Sequence, residues 1–275
     1  MMQLIYVLAL LITGALVGLV SGMLGVGGCF IMIPVQYWIL TAIGIDPTIA
    51  IRVAFGTNLL VVFPTALSGS LRHHKKSAVL WKQGIILGLT SVPFTFIGAW
   101  VASNLPGNVL KTIFGFAILL GALRMATAHP IRVKGEPHAN PLTYIFLGAI
   151  FGFVTGLIGI GGGVLMVPLM VIFLNYHMHE AVATSTAIMV FTSFGGAIAY
   201  MLYGLGVQGL PPFSIGYVNL LQWVLLAGTS IPMAQVGAHL AHEIHPKSLK
   251  WIFIIVMIYM GLKMIGLFSW LGLPI

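Results

Sequence analysis

The sequence predicts an all-α integral membrane protein, on the strength of its composition and of the length of its apolar runs. Of 275 residues, 59% are hydrophobic and only 6% are charged, and the mean hydropathy is +1.09. A typical soluble domain carries about 25% charged residues, so a soluble globule of this length could not cover its surface. This excludes a cytosolic enzyme, a nucleic-acid-binding domain and a disordered chain. The apolar runs are continuous rather than alternating, which argues against a membrane β-barrel.

Eight apolar blocks follow one another along the chain. Six have about the 20 residues that a simple spanning helix needs. The first and the fifth are longer, at roughly 35 residues, and glycines interrupt both near the middle. The blocks cover residues 4–40, 47–70, 79–103, 107–127, 141–175, 180–203, 217–242 and 249–270.

The chain repeats itself, which indicates two copies of a four-block unit. The segment GALVGLVSGMLGVGG begins at Gly14, and GAIFGFVTGLIGIGG begins at Gly148, 134 residues later. Two further colinear matches link Thr57-Asn58 with Thr184-Ser185, and residues 90–93 (TSVP) with 229–232 (TSIP). We therefore expect a first transmembrane repeat over residues 1–128, a loop over 129–140 and a second repeat over 141–275.

Two arrangements of the repeats are possible. If the first and fifth blocks each cross once, the halves are parallel, and the 12 basic residues divide eight to four between the two sides of the membrane. If both blocks are re-entrant hairpins, the halves are inverted, and the division is nine to three, which fits the positive-inside rule slightly better. Block length also favours hairpins, so we expect the inverted arrangement.

The basic residues, which give a net charge of +8, cluster in short loops rather than in one patch. Together with the apolar runs, this predicts a multi-pass protein of the plasma or inner membrane, with the lipid bilayer rather than a nucleic acid as its partner. The amino terminus lacks a basic region before its apolar run, so we expect a retained membrane segment. The single cysteine, Cys29, excludes an intrachain disulfide.

The glycine-rich breaks predict two anion-cradling corners. Non-helical backbone survives inside a bilayer only where protein buries it or where it lines a cavity. A helix that restarts after a break points free N–H groups and a positive dipole end at that place, and paired breaks in repeated halves indicate a transporter site. Close helix packing is the alternative interpretation, and we expect it for Gly14, Gly18, Gly148 and Gly152.

The two segments SGMLGVGGCFIMIP and TGLIGIGGGVLMVP resemble the paired signatures of the sulfite exporter TauE/SafE family of membrane permeases. The stretches LSGSLRH at Leu67 and AVATSTAIMVFTSFGGA at Ala181 resemble that family's second block in each half. The resemblance implies transport of sulfur-containing anions such as sulfite, thiosulfate or sulfonated organic acids. Phe55-Gly56 stands where the second half has Val182-Ala183, and Cys29 stands where it has Gly163.

Polar residues inside the second block of each half are further candidates. Hydroxyl and amide groups there could bind oxyanions, and hydrogen bonds between helices are the alternative. Arg52 starts a turn or so inside its block, where it could attract an anion; snorkelling or pairing with Asp46 are the alternatives. The candidate substrate-binding residues are Gly25, Gly27, Gly28, Cys29, Arg52, Thr57, Asn58, Gly159, Gly161, Gly162, Gly163, Thr184 and Ser185.

These features predict a secondary carrier that moves a small anion by alternating access, and the resemblance implies that this anion contains sulfur. A passive anion channel and a permease for a non-sulfur organic anion are alternatives. An intramembrane enzyme would need paired carboxylates, buried histidines or a nucleophile with its base, which the blocks do not offer. We expect no cofactor and no metal site; a coupling proton or ion and a homo-oligomer remain open.

Overall fold

The structure is a computed structural model, and it describes residues 2–24, 29–75, 79–127, 141–161, 163–240 and 246–270. Nearly all of these residues are helical. The first half forms α1 (Met2–Leu24), α2 (Cys29–Ala42), α3 (Pro47–Lys75), α4 (Trp81–Asn104) and α5 (Gly107–Thr127). The second half forms α6 (Pro141–Ile158), α7 (Gly163–Phe173), α8 (Met178–Tyr203), α9 (Leu220–Leu240), α10 (Pro246–Ile265) and α11 (Leu267–Trp270).

Five helices of the described part are long and apolar enough to cross a bilayer: most of α3 and α8, and all of α4, α5 and α6. Helices α3 and α8 lie at the centre, because 67% of the spanning window of each is buried, against 33% for α5. The outer helices expose large apolar side chains, among them Phe116 and Phe146. An apolar exterior of this kind is what lipid contact requires.

A short β-ribbon precedes α9. Strand β1 (Ser214–Ile215) pairs with β2 (Val218–Asn219) in antiparallel fashion. The tight connection needs glycine at position 216, whose φ is +55°. The seventh block was expected to begin at residue 217, whereas α9 begins at Leu220, because the intervening residues pair in the ribbon.

The most extensive helix pairings join the two halves: α4 of the first half packs along α6 of the second, and α1 of the first half packs along α9 of the second. A Cβ atom on Gly152 would lie 2.0 Å from the carbonyl oxygen of Ser91, and one on Gly18 would lie 2.2 Å from that of Ser230. Gly18 and Gly152 are repeat equivalents, as are Ser91 and Ser230. These glycines therefore have the packing role that the sequence predicts, since only glycine lets the backbones come this close.

Contacts along the helices fix their relative directions. One set of parallel helices consists of α1, α9 and α3, and a second set consists of α6, α4 and α8. Because α1 and α3 run in the same direction, the chain must turn back between them, and the same holds for α6 and α8. Residues pair in ascending order in the first set (Gly14–Leu226, Gly18–Ser230, Thr57–Asn219, Leu60–Trp223). They do so in the second set as well (Gly148–Leu87, Gly152–Ser91, Gly84–Thr184, Gly88–Phe191).

Helices α3 and α8 themselves run in opposite directions. Gly56, near the start of α3, faces Tyr200 near the end of α8, while Gly69 faces Thr186 near the start of α8. Helices α5 and α10 are antiparallel too, because Gly115 faces Ile265 and Gly261 faces Leu119. Both pairs consist of repeat equivalents, so each of these helices opposes its counterpart.

Candidate functional site

The break between α6 and α7 has a defined backbone conformation. Helix α6 ends at Ile158, and the amide of Gly159 donates a last bond of 2.9 Å to the carbonyl oxygen of Thr155. Gly159 and Gly161 have φ values of +66° and +72°, a region that glycine adopts without strain. Helix α7 begins at Gly163, which is buried. The first turn of α7 therefore offers its free N–H groups inside the protein.

Asn58 of α3 holds this break. Its side-chain amide donates a hydrogen bond of 2.6 Å to the carbonyl oxygen of Gly159. Phe55, one turn earlier, packs so closely on Gly159 that a Cβ atom there would lie 2.7 Å from the Cβ atom of Phe55. Asn58 is fully buried, and its Oδ1 atom has no hydrogen-bond partner among the described residues. One polar atom is thus left available beside the break.

The corresponding break of the first half lies mostly outside the described residues. Gly25, Gly27 and Gly28 fall in the gap at residues 25–28. Gly162 of the second break is also outside the described residues. Cys29 begins α2, is buried, and has its thiol beside the Asn58 side chain. Asn58 therefore contacts both the start of α2 and the carbonyl of Gly159, one element from each repeat.

Thr57 and Thr184 make equivalent hydrogen bonds to backbone. Thr57 Oγ1 accepts a bond of 2.8 Å from the amide of Asn219, just before α9, and Thr184 Oγ1 accepts one of 3.1 Å from the amide of Leu80, just before α4. Both threonines are fully buried. Hydrogen bonds between elements of this kind were the alternative to substrate binding for these threonines. They attach α3 to the residue before α9 and α8 to the residue before α4.

Ser185, the repeat equivalent of Asn58, is also buried. Its hydroxyl donates to the carbonyl oxygen of Val182 at 2.9 Å, within its own helix. Among the described residues, Asn58 is thus the one of the four polar candidates on α3 and α8 that hydrogen-bonds to a helix break.

Arg52 is half-buried and paired with neutral groups. Its Nη2 donates to the carbonyl oxygen of Leu105 at 2.9 Å, and its Nη1 donates to the hydroxyl of Tyr217 at 3.1 Å. Its Nε is buried without a hydrogen-bond partner in the described part of the chain. Asp46, the expected alternative partner, instead accepts bonds from the amides of Thr48 and Ile49 at the start of α3. The positive charge of Arg52 is therefore fixed in place by groups that carry no negative charge.

Aromatic rings connect Arg52 with the break. The guanidinium carbon lies 5.6 Å from the centre of the Tyr217 ring, and the Tyr200 ring is 6.5 Å from both Tyr217 and Phe55. The hydroxyl of Tyr200 donates to the carbonyl oxygen of Gly156 at 2.8 Å. A continuous row of rings thus leads from the cation to the residue that packs on Gly159.

Sequence reasoning missed two buried polar residues in the helices beside the breaks. Gln36 is fully buried in α2, and both atoms of its amide lack a partner among the described residues. It follows Cys29 by seven residues, or two turns, and so shares its helix face. Thr155, one turn before Gly159, has a buried hydroxyl that is also unpartnered within the described part. An isolated glutamine within an apolar block was the available signal, because an unpaired buried amide is costly.

No Asp, Glu, Lys, Arg or His appears among the fully buried side chains of the described ranges. The polar groups around the break between α6 and α7 include the amide of Asn58, the hydroxyl of Thr155 and the backbone N–H groups that open α7. Such groups can hold an anion by hydrogen bonds and by the helix dipole without a full countercharge.

The sequence model of a family described as Sulfite exporter TauE/SafE matches residues 10–264. The chain is 31% identical to a protein of Methanocaldococcus jannaschii named "Probable membrane transporter protein MJ0441", over 93% of this chain and 94% of that protein. It is 30% identical to "Probable membrane transporter protein YunE" of Bacillus subtilis, over 94% and 98%. A "Probable membrane transporter protein" of Haemophilus influenzae is 23% identical over 94% and 98%. No solved structure gives a significant match.

Proposed function

Because the chain belongs to the sulfite exporter TauE/SafE family of multi-pass membrane proteins, we propose that it is a secondary carrier for a small sulfur-containing anion. Sulfite, thiosulfate and organosulfonates are the substrates we expect, moved across the plasma or inner membrane by alternating access. On this proposal the protein moves its substrate across the membrane and does not alter it chemically.

The observation that carries this proposal is the Asn58–Gly159 hydrogen bond of 2.6 Å. It fixes a buried, non-helical corner whose glycines have left-handed backbone angles. Beside it lie polar atoms without a partner in the described part of the chain: Asn58 Oδ1 and the hydroxyl of Thr155. Unsatisfied buried polar groups are costly, so a chain that retains them at a helix break is suited to binding a solute there.

Alternating access needs two halves that can rock against each other about a central site. The opposed directions of α3 and α8, and of α5 and α10, support an inverted repeat in which α2 and α7 return the chain after α1 and α6. The proposed site then lies between the halves, because Asn58 of the first repeat reaches Gly159 of the second. Arg52 would draw the anion towards this site along the aromatic row.

The test is transport by the purified chain in liposomes, followed with labelled sulfite, thiosulfate and a sulfonate. Gly161→Ala should lower saturable flux about tenfold or more, the equivalent of about 1.4 kcal/mol, because its φ is +72° and an added Cβ would lie 3.0 Å from Val62. Gly44→Ala is the matched control: its φ is +89°, but nothing lies within 4 Å of an added Cβ.

Equal flux in the two variants would contradict the proposed site. Non-saturating, electrogenic current without counterflow would instead indicate a channel. Saturable flux of carboxylates but of no sulfur oxyanion would indicate a permease for another organic anion.

A further inference from the structure

A second candidate site lies away from the helix breaks. A cavity of about 720 Å³ opens between the end of α2, the start of α5 and the end of α10 with α11. Its walls include Tyr37 and Trp38 of α2, Asn108 and Lys111 of α5, and Lys263 of α10. None of these residues belongs to the proposed transport site.

The two lysines of the cavity are held by aromatic rings. Lys111 Nζ lies 5.2 Å from the centre of the Tyr37 ring, and Lys263 Nζ lies 4.4 Å from that of Trp38. Lys263 also donates to the hydroxyl of Tyr259 at 3.4 Å. No acidic side chain is among the described residues that line the cavity. Each ammonium group has three donors, so both keep N–H groups for an anion.

The position of the cavity identifies the kind of anion. Asn108 is the second residue of α5 and Ile265 is the last residue of α10, so the cavity lies where these two apolar helices end. Lipid headgroups are found at that depth, and tryptophan and tyrosine are enriched there. Further along, towards the middle of the same two helices, Phe116 (61%) and Ile255 (64%) are exposed. A ligand with a negative head and apolar tails fits both surfaces.

We propose that this cavity binds the phosphate group of an anionic phospholipid. Lys111 and Lys263 hold the phosphate as two point charges, Asn108 lies in the same wall, and the acyl chains lie along α5 and α10. The lipid thereby ties the end of α10 to α2 and α5. This site is independent of the transported anion, so it can be tested without a transport assay.

The test is thermal unfolding of the purified chain in detergent, titrated with phosphatidylglycerol or with phosphatidylcholine of the same acyl chains. A specific ligand raises the melting temperature by mass action. We expect phosphatidylglycerol to do so, and the half-saturating concentration to rise about 30-fold in Lys111→Gln/Lys263→Gln, as two lost phosphate-binding charges imply. Lys82→Gln/Arg124→Gln removes the same charge from other helix ends and should titrate like the wild type.

An unchanged titration in Lys111→Gln/Lys263→Gln would overturn the proposal. So would an equal, saturable shift with inorganic phosphate alone, since the site would then bind a soluble anion. If the double variant does not fold, native mass spectrometry of the wild type decides: retained phosphatidylglycerol supports the site, and its absence refutes it. Lys263→Arg, which keeps the charge, should retain the lipid.

Discussion

The side-chain amide of Asn58 donates a hydrogen bond to the carbonyl oxygen of Gly159, 101 residues further along the chain. A helix of the first half of the chain thus hydrogen-bonds to the break in the second half. Because the bond is buried and short, the position of the break depends on it.

Asn58→Ala should therefore reduce both stability and transport. The carbonyl oxygen of Gly159 would be left buried without its partner, at a cost of about 1–3 kcal/mol in the free energy of unfolding. We expect a lower melting temperature, and flux that stays depressed at temperatures where the variant is fully folded. Flux in liposomes and thermal unfolding measure the two effects separately.

The control for Asn58 is Thr65→Ala in the same helix. Thr65 donates only to the carbonyl oxygen of Val61, at 2.9 Å within α3, so its removal should leave flux unchanged. If Asn58→Ala loses stability but transports like Thr65→Ala, the residue positions the break without serving the solute.

Gln36→Leu should stabilise the protein and impair its function. The amide of Gln36 is fully buried, with both atoms unpaired in the described part, so an apolar side chain of similar size should raise the free energy of unfolding by about 1–3 kcal/mol. If that amide binds the solute, the same change should lower flux and abolish the thermal shift caused by the substrate.

Gln235→Leu is the comparison for Gln36, since Gln235 is exposed and donates to the hydroxyl of Ser68 at 2.8 Å. It should give no stabilisation. A more stable Gln36→Leu variant with normal flux would show that the glutamine takes no part in transport.

Thr57→Val and Thr184→Val should cost similar amounts of stability. Each removes the acceptor for one backbone amide, the buried amide of Asn219 or the part-buried amide of Leu80, at about 1–3 kcal/mol. The double variant should lose roughly the sum, because distant sites behave additively. Denaturation of the three variants measures this, and a large difference between the single variants would contradict equivalent roles.

Arg52→Gln should raise the KM for the anion more than it lowers kcat. The guanidinium is held by Leu105 and Tyr217, neither of which neutralises it, so its charge attracts anions over a distance that salt screens. We therefore expect the difference between wild type and variant to shrink as ionic strength rises. Flux measured over a range of substrate and salt concentrations tests this.

Tyr217→Phe keeps the charge of Arg52 and removes one hydrogen bond, so its salt dependence should match the wild type. If Arg52→Gln lowers kcat alone, with no dependence on salt, the arginine acts by holding α3 against the chain between α4 and α5.

The glycine cluster predicted the break itself, because glycine adopts the backbone angles of Gly159 and Gly161 without strain. The role of Asn58 depends on which helices become neighbours, and local periodicity carries no information on that. Thr57 and Asn58 are adjacent in the sequence, yet one fastens the start of α9 and the other holds the break. Gln36 has an apolar counterpart, Met170, 134 residues later, so the comparison of the two halves did not single it out.

The packing of α1 from the first half against α9 from the second half also has a consequence for biosynthesis. Gly14 and Gly18 of α1 pack against α9, and Gly18 and Ser230 are 212 residues apart. At about 5–20 residues per second, the ribosome needs on the order of 10–40 s to supply that partner. Throughout this interval the surface of α1 that contains Gly14 and Gly18 has no α9 to pack against. We therefore expect early insertion intermediates of this protein to expose helix surface that the finished fold buries.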